Sequence, residues 1–448
     1  MKKIMMLFVS VVSIIMTGGW LNSSHAFEAG DIEIHGFISQ GYLFTDKNNY
    51  LAETEDGTFE FNEMGINFSA DLTELLHVGV QFFARDLGTV GNDDVVLDWA
   101  YGDFRWKDWL GFRAGRIKID YGLYNETREM DMLRTGVMLP QSVYSELWRD
   151  SFSGVSGAAL YGYIPLSVMG RFAYNLEIGA MTFKEDEGFS RTFAPRLHET
   201  LDISSMDADF AWFANAQWHT PLPGMKTKFT YYEIENLKAD GDISVITKEG
   251  DIINSLVTYE FSEKSGYVLS LEYILKNLTF TAEYAKDDYQ IERDMEAFLL
   301  AQVATQPQAD ITQSAADAIQ PAAEITQAQE QTSGEGLLGT GQPKKKTSEG
   351  WYVSASYRFT DRFETGLTYS EYYPDADNKH GEEKREGDKF TSWLKTTTLS
   401  ARFDINDYWL LKLEASYNDG FGGINLADNP EGLERCWYLF AAKMTFNF

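Results

Sequence analysis

The charged residues best placed to act on a solute lie between residues 116 and 153. Arg116 and Lys118 are two positions apart, so a β-strand would present both on one face. The segment that follows, residues 120–153, carries both signs of charge: Glu126, Arg128, Glu129, Asp131, Arg134, Glu146 and Arg149. Bases that face acids across a water-filled gap create a transverse field that acts on passing ions. The same groups could instead pair with one another and pin the segment, and the sequence leaves both roles open.

The elements that must position these groups are segments of alternating polarity. Met64, Ile66 and Phe68 share one face of residues 64–72, opposite Asn67. The same two-residue period recurs in residues 32–44, 76–85, 172–180 and 409–417. Because the polar face often carries charges, which a packed core excludes, we predict strands with one apolar side and one wet side.

The closing residues of the chain show the sharpest alternation. In residues 438–448 the even positions are all apolar and end on Phe448, whereas Lys443, Thr445 and Asn447 occupy odd positions. This pattern predicts a strand with one lipid-facing side that ends at a membrane interface. It resembles the closing strand of Gram-negative outer-membrane barrels, whose terminal aromatic residue is recognised by the barrel-assembly machinery, and that machinery is a predicted partner.

Tight turns and long polar loops alternate along the chain, which is typical of a transmembrane antiparallel β-barrel with short periplasmic turns and long extracellular loops. The tight turns are predicted near residues 73–75, 107–109, 164–166, 221–224, 276–277, 360–362 and 404–407. Seventeen candidate strands fail the even-number rule for bacterial barrels. We remove residues 252–261 from the count of spanning strands and interpret them as a hairpin extension in an extracellular loop. The prediction is therefore about sixteen spanning strands, within a range of 14–18.

The amino terminus predicts secretion. Lys2 and Lys3 precede a short apolar run, and a small-x-small site follows at residues 24–26. We interpret residues 1–26 as a cleaved signal peptide and residues 27–448 as the barrel. The formal charge of −30 argues against a nucleic-acid partner. Acidic loops could reach anionic outer-membrane lipid and lipopolysaccharide through divalent cations, although simple solvation explains them equally.

One predicted extracellular loop, residues 287–349, differs from the rest of the chain. Ala and Gln dominate residues 301–331, and strand alternation is missing. Composition favours a low-complexity loop with little structural role, and a lid or receptor patch is the alternative.

Two motifs carry a family resemblance. Residues 115–119 (GRIKI), 121–128 (YGLYNETR) and 139–144 (LPQSVY) resemble the constriction-loop region of Gram-negative porins related to the phosphate-selective and dicarboxylate-type channels. Residues 404–414 (DINDYWLLKLE) resemble their penultimate hairpin. The resemblance implies a diffusion channel, a homotrimer, and an infolded constriction loop at residues 120–153.

We therefore predict an outer-membrane porin of a Gram-negative bacterium that passes small hydrophilic solutes and weakly favours anions. The inner-face bases Arg116, Lys118, Arg171, Lys226 and Lys228 motivate the anion preference. An outer-membrane enzyme is the main alternative, but His198 and His380 lie in loops with no adjacent serine motif, and His35, His77 and His219 lie near predicted strand ends close to the periplasmic turns. Cys436 is the only cysteine. The sequence predicts no catalytic residue, cofactor or metal ion. An adhesin or structural barrel is a further alternative.

Overall fold

The structure, a computed structural model, describes residues 32–88, 90–181, 183, 188–190, 199–246, 252–294, 344–423, 428–429 and 432–448. The predicted signal peptide, residues 1–26, lies outside them.

Eighteen antiparallel β-strands form within the described residues. They are β1 (Glu33–Thr45), β2 (Phe61–Thr73), β3 (Leu76–Leu87), β4 (Val96–Lys107), β5 (Leu110–Lys118), β6 (Gly154–Pro165), β7 (Arg171–Met181), β8 (Glu199–Asp207), β9 (Phe210–His219), β10 (Met225–Glu235), β11 (Leu237–Ile246), β12 (Ile252–Leu275), β13 (Leu278–Asp294), β14 (Lys344–Thr360), β15 (Phe363–Tyr373), β16 (Leu394–Asp404), β17 (Trp409–Gly420) and β18 (Cys436–Asn447). Short 3-10 helices occupy Asn125–Thr127, Asp131–Leu133, Ser167–Met169, Ala376–Asn378 and Lys389–Ser392.

Sixteen of these strands close into a ring. Each pairs with its neighbours along the chain once β8 and β11 are set aside, because β7 pairs with β9 and β10 pairs with β12. Closure comes from β1, which pairs with both β2 and β18. At the seam, Gly36 and Phe448 exchange backbone hydrogen bonds of 3.0 Å. The predicted closed barrel of sixteen antiparallel strands is confirmed.

Residues 252–261, the candidate strand that was excluded to keep the number of spanning strands even, form a hairpin extension as predicted. Residues 252–261 form the first part of β12 and pair with β11, which in turn pairs with β8. At roughly 3.4 Å per residue, the 24 residues of β12 are far longer than the ~10 that cross the apolar part of a membrane. This sheet therefore continues β12 beyond the ring at the long-loop end.

All seven predicted tight turns connect paired antiparallel strands: β2–β3, β4–β5, β6–β7, β9–β10, β12–β13, β14–β15 and β16–β17. They lie at one end of the barrel, here called the short-turn end. The opposite, long-loop end contains the predicted loop 287–349, into which β13 and β14 extend as far as Asp294 and from Lys344. The Ala- and Gln-rich centre of that loop lies outside the described residues.

The barrel is apolar outside and buries charged side chains inside. Ile38, Leu367 and Leu399 are 54%, 56% and 60% exposed on the outer surface. Lys412 and Lys443 are buried on the inner face. This arrangement is the reverse of that in soluble proteins, which bury their apolar groups and almost never bury an unpaired lysine. The exposed apolar surface is therefore suited to contact with lipid. No helix among the described residues is both long and apolar enough to cross a membrane.

Candidate functional site

The chain between β5 and β6 lies inside the ring of strands. This segment, called the interior loop (residues 120–153), bonds to strands on all sides of the barrel. Arg149 pairs with Glu63 of β2, and Asp131 pairs with Lys412 of β17. The Tyr144 hydroxyl donates to Glu283 of β13 at 2.5 Å. A segment that reaches such distant strands must cross the lumen, so it determines how much of the lumen stays open.

The middle of the interior loop is attached to the barrel seam by a buried carboxylate. Asp131 contacts the ammonium groups of Lys412 at 3.1 Å and Lys443 at 3.0 Å, and it accepts a hydrogen bond of 2.7 Å from the Thr445 hydroxyl. Arg134 approaches the same carboxylate at 3.4 Å. Burial alone would raise the pKa of Asp131, but the two lysines outweigh it and hold the pKa well below its ordinary value.

A second buried carboxylate joins the end of the interior loop to β3. Glu146 contacts Arg128 at 2.9 Å, Arg85 at 3.1 Å and Arg149 at 3.4 Å. Burial would raise the pKa of Glu146, yet the three arginines hold it below its ordinary value. Asp150 adds a contact of 2.9 Å to Arg85. These groups neutralise one another, so they fasten the loop and leave little charge free to act on a solute.

Arg116 and Lys118, the two β5 residues that the sequence analysis placed on the lumen wall, do not both face the lumen. The register sets Arg116 beside Ala100 and Ser156, whereas the next residue, Ile117, pairs with the buried Val155 in an apolar cluster. Ile117 therefore faces inward, and Arg116 takes the outer register, where it donates to the carbonyl of Asp98 at 3.0 Å. The expectation that Arg116 lines the lumen is corrected by this register. On the inner side, Ile117 belongs to the same apolar cluster as Tyr121 and Tyr144 of the interior loop.

The other predicted site residues are mostly paired. Lys118, at the end of β5, contacts Glu129 at 2.5 Å and Asp98 at 3.1 Å. Glu126 lies 3.7 Å from Arg113. Of the nine predicted site residues, Arg134 lines the passage described below, and Arg128 lines the wider cavity above it.

An apolar cluster fills one side of the lumen. It joins residues of the interior loop, such as Tyr121 and Tyr144, to inner-face residues of β6, β9, β10 and the hairpin extension. Tyr121, Phe152 and Tyr232 meet edge to face, with ring centroids 5.5–6.0 Å apart. These rings pack against one another and narrow the space between the interior loop and β10. The narrower open space lies on the other side of the loop, beside β13–β17.

Two adjoining cavities lie inside the ring, and the wider one reaches the apolar cluster at Tyr121, Phe152 and Tyr232. The wider one, of about 970 Å³, lies at the long-loop end and is called the vestibule. The narrower one, of about 370 Å³, is called the passage, and it lies between residues 132–141 and the inner faces of β13–β17. Tyr50 and Gln141 line both cavities, so they lie where the cavities meet. The passage extends to Arg358 and Arg402 near the short turns.

Sequence reasoning missed several residues that shape this space. Glu414 accepts hydrogen bonds from the backbone N–H groups of Val137 at 2.8 Å and Met138 at 3.3 Å. Glu283 does the same for Leu123 at 2.9 Å. Alternation placed Glu414 on a polar face, but no local pattern connects it with a loop about 280 residues earlier. Tyr50 comes from the loop between β1 and β2 and carries no sequence signal.

Comparisons with known proteins show the fold. No protein-family model matches the chain, and no curated protein matches it. Among solved structures, the outer membrane channel DcaP of Acinetobacter baumannii is 8% identical, with a TM-score of 0.50 over 95% of this chain and 100% of that chain. Salmonella typhi OmpF, in a complex with daunomycin, is 10% identical, with a TM-score of 0.50 over 93% of this chain and 97% of that one. At these identities the likeness establishes the barrel architecture alone.

Proposed function

We propose that this protein is an outer-membrane porin of a Gram-negative bacterium, a passive diffusion channel for small hydrophilic solutes. The observation that carries the proposal is the pair of adjoining cavities inside a barrel whose outer wall is apolar. A channel needs a wet path, a narrow segment and a wall that lipid tolerates. The vestibule, the passage and the outer surface supply these three features.

The passage supports a weak preference for anions among ions. Its charged lining consists of Arg134, Arg358 and Arg402 against Glu364 and Glu414. Arg358 lies 3.0 Å from Glu364, and Arg402 contacts Asp404 at 2.7 Å, so much of the positive charge is compensated by neighbouring carboxylates. Charge in a confined passage acts more strongly than the acidic surface loops, which solvent screens within about 8 Å.

The enzyme alternative gains no support from His77 and His219. His77 contacts Asp71 at 2.8 Å, and His219 contacts Arg171 at 3.1 Å and Gln217 at 2.6 Å. None of these contacts sets a serine beside a base, as nucleophilic catalysis requires.

The proposed partners follow from the outer wall. Small residues at Ala100, Gly102, Ala114 and Ala158 on β4–β6 would allow a second copy to approach closely, which supports the homotrimer. Near the long-loop end, Arg435 pairs with Asp419 at 2.6 Å, a charged rim suited to lipopolysaccharide. Phe448, bonded to Gly36 at the seam, would be read by the barrel-assembly machinery.

Planar-bilayer recording tests the proposal. The refolded protein should give discrete conductance steps and, in a potassium chloride gradient, a reversal potential displaced slightly toward the chloride equilibrium. Arg134→Gln should move that potential toward cations, whereas the matched outer-rim variant Arg435→Gln should leave it unchanged. A folded protein that gives no steps would rule out a channel. A displacement of the parent toward potassium would overturn the anion preference.

A further inference from the structure

The wall of the passage opposite the interior loop is lined mainly by hydroxyl groups. Ten serine and threonine residues of β13–β17 line it: Thr279, Thr281, Ser354, Ser356, Thr368, Ser370, Thr396, Thr398, Ser400 and Ser416. On each strand they recur at every second residue, which places successive hydroxyls of one strand roughly 7 Å apart. The inner face of these strands is therefore a two-dimensional array of small hydrogen-bonding groups.

Several of these hydroxyls bond to one another across neighbouring strands. Ser354 and Thr368 share a hydrogen bond of 2.8 Å, as do Thr398 and Ser416. Thr396 donates to the amide oxygen of Asn418 at 2.8 Å. A hydroxyl has one donor and two acceptor sites. One such bond leaves capacity on each hydroxyl, so the array can bind water or a solute hydroxyl group without breaking its own structure.

The charged groups beside this array are occupied by protein partners. Glu414 accepts from two backbone N–H groups of the interior loop. Arg402 contacts Asp404 at 2.7 Å, and Arg358 contacts the same carboxylate at 3.2 Å. A charged solute that entered the passage would lose hydration without gaining a free counter-charge, which is costly. A neutral solute with many hydroxyls would exchange its water for the array at little cost.

We propose that the passage favours neutral, hydroxyl-rich solutes, such as sugars and polyols, over charged solutes of the same size. The inference rests on the proposed channel function and names its substrate class. The weak preference for anions among ions is compatible with this preference for neutral solutes, because in both cases the charges that line the passage nearly cancel. Solute hydroxyls move along the array by exchanging hydrogen bonds with the paired side chains.

The test compares glucose with gluconate, which has a similar size and a negative charge, as uptake into proteoliposomes that contain the full chain. The parent should pass glucose faster. The double variant Thr396→Val with Thr398→Val removes two hydroxyls while keeping the side-chain shape. It should slow glucose by about two- to tenfold, the range that corresponds to a net hydrogen bond, and change gluconate uptake and potassium chloride conductance less.

Thr397→Val is the matched control, because Thr397 lies between the two on β16 but points to the outer surface, where it is exposed. Heat-modifiable migration on a gel confirms folding, and Ser354→Ala with Thr368→Val provides a second array variant. Gluconate uptake as fast as glucose in the parent, or glucose uptake unchanged in folded array variants, would overturn the proposal. If the folded parent passes neither solute and conducts no ions, the channel function itself fails, which is a different result.

Discussion

Removing the charge of Asp131 should destabilise the barrel more than removing a carboxylate from its surface. The side chains of Asp131 and Lys412 are both 0% exposed, and Asp131 is the carboxylate that contacts Lys412. In Asp131→Asn, Lys443 keeps its ion pair with Glu63. Lys412 keeps the hydrogen bond to the carbonyl of Gly136 at 3.0 Å, but among the described residues it has no other carboxylate as an ion-pair partner. Removing one partner of a buried ion pair lowers the free energy of unfolding by about 3–5 kcal/mol.

The matched control is the surface pair of Asp419 with Arg435, whose side chains are 27% and 57% exposed. Asp419→Asn should cost at most about 1 kcal/mol, because water screens that pair. Adding Lys412→Met to Asp131→Asn removes the stranded charge and should recover most of the loss. The free energy of unfolding is measured by urea titration in lipid vesicles, with tryptophan fluorescence as the signal. Equal costs for Asp131→Asn and Asp419→Asn would refute the view that Asp131 anchors the interior loop.

Three further predictions concern assembly, acid and the long loop. Deleting Phe448 should slow assembly and leave unfolded chain in the periplasm, and normal heat-modifiable migration of the deletion would count against its role at the seam. Glu146→Gln should destabilise the protein at neutral pH. The pKa of Glu146 is lower in the folded protein than in the unfolded chain, where it is about 4.3, so the ionised carboxylate stabilises the folded state above that pH. As pH falls below that value, the difference between parent and variant should shrink, and a difference that stays constant in urea titrations at successive pH values would contradict the assignment. Excising residues 301–341 should leave a folded, conducting channel, and a failure to assemble would show that the segment packs as structure.

The barrel was largely predictable, because lipid on one side and polar contacts on the other impose a two-residue period on each strand. Turn positions followed from the breaks in that period, and the even-number rule identified residues 252–261 as an extension. The closing strand behaves as predicted, with Tyr438 and Phe440 exposed and Lys443 buried.

The interior was less predictable, because its contacts join residues far apart in sequence. Charge density correctly drew attention to residues 120–153, but the assumption that polar residues always face a barrel's lumen failed at β5. There Ile117 faces inward, in an apolar cluster with residues of the interior loop, and Arg116 does not. No local pattern indicates that Glu414 binds the loop or that Tyr50 lies between the cavities.

The most direct test of the account asks whether solute passes beside β14. In a Cys436→Ser background, Ser356→Cys places a single thiol on the lining of the passage, and Thr397→Cys places one on the outer wall. A charged methanethiosulfonate reagent is applied during single-channel recording. We expect a stepwise fall in conductance for Ser356→Cys and no change for Thr397→Cys. Unchanged conductance in a Ser356→Cys channel that mass spectrometry shows to be fully modified would contradict the proposed path.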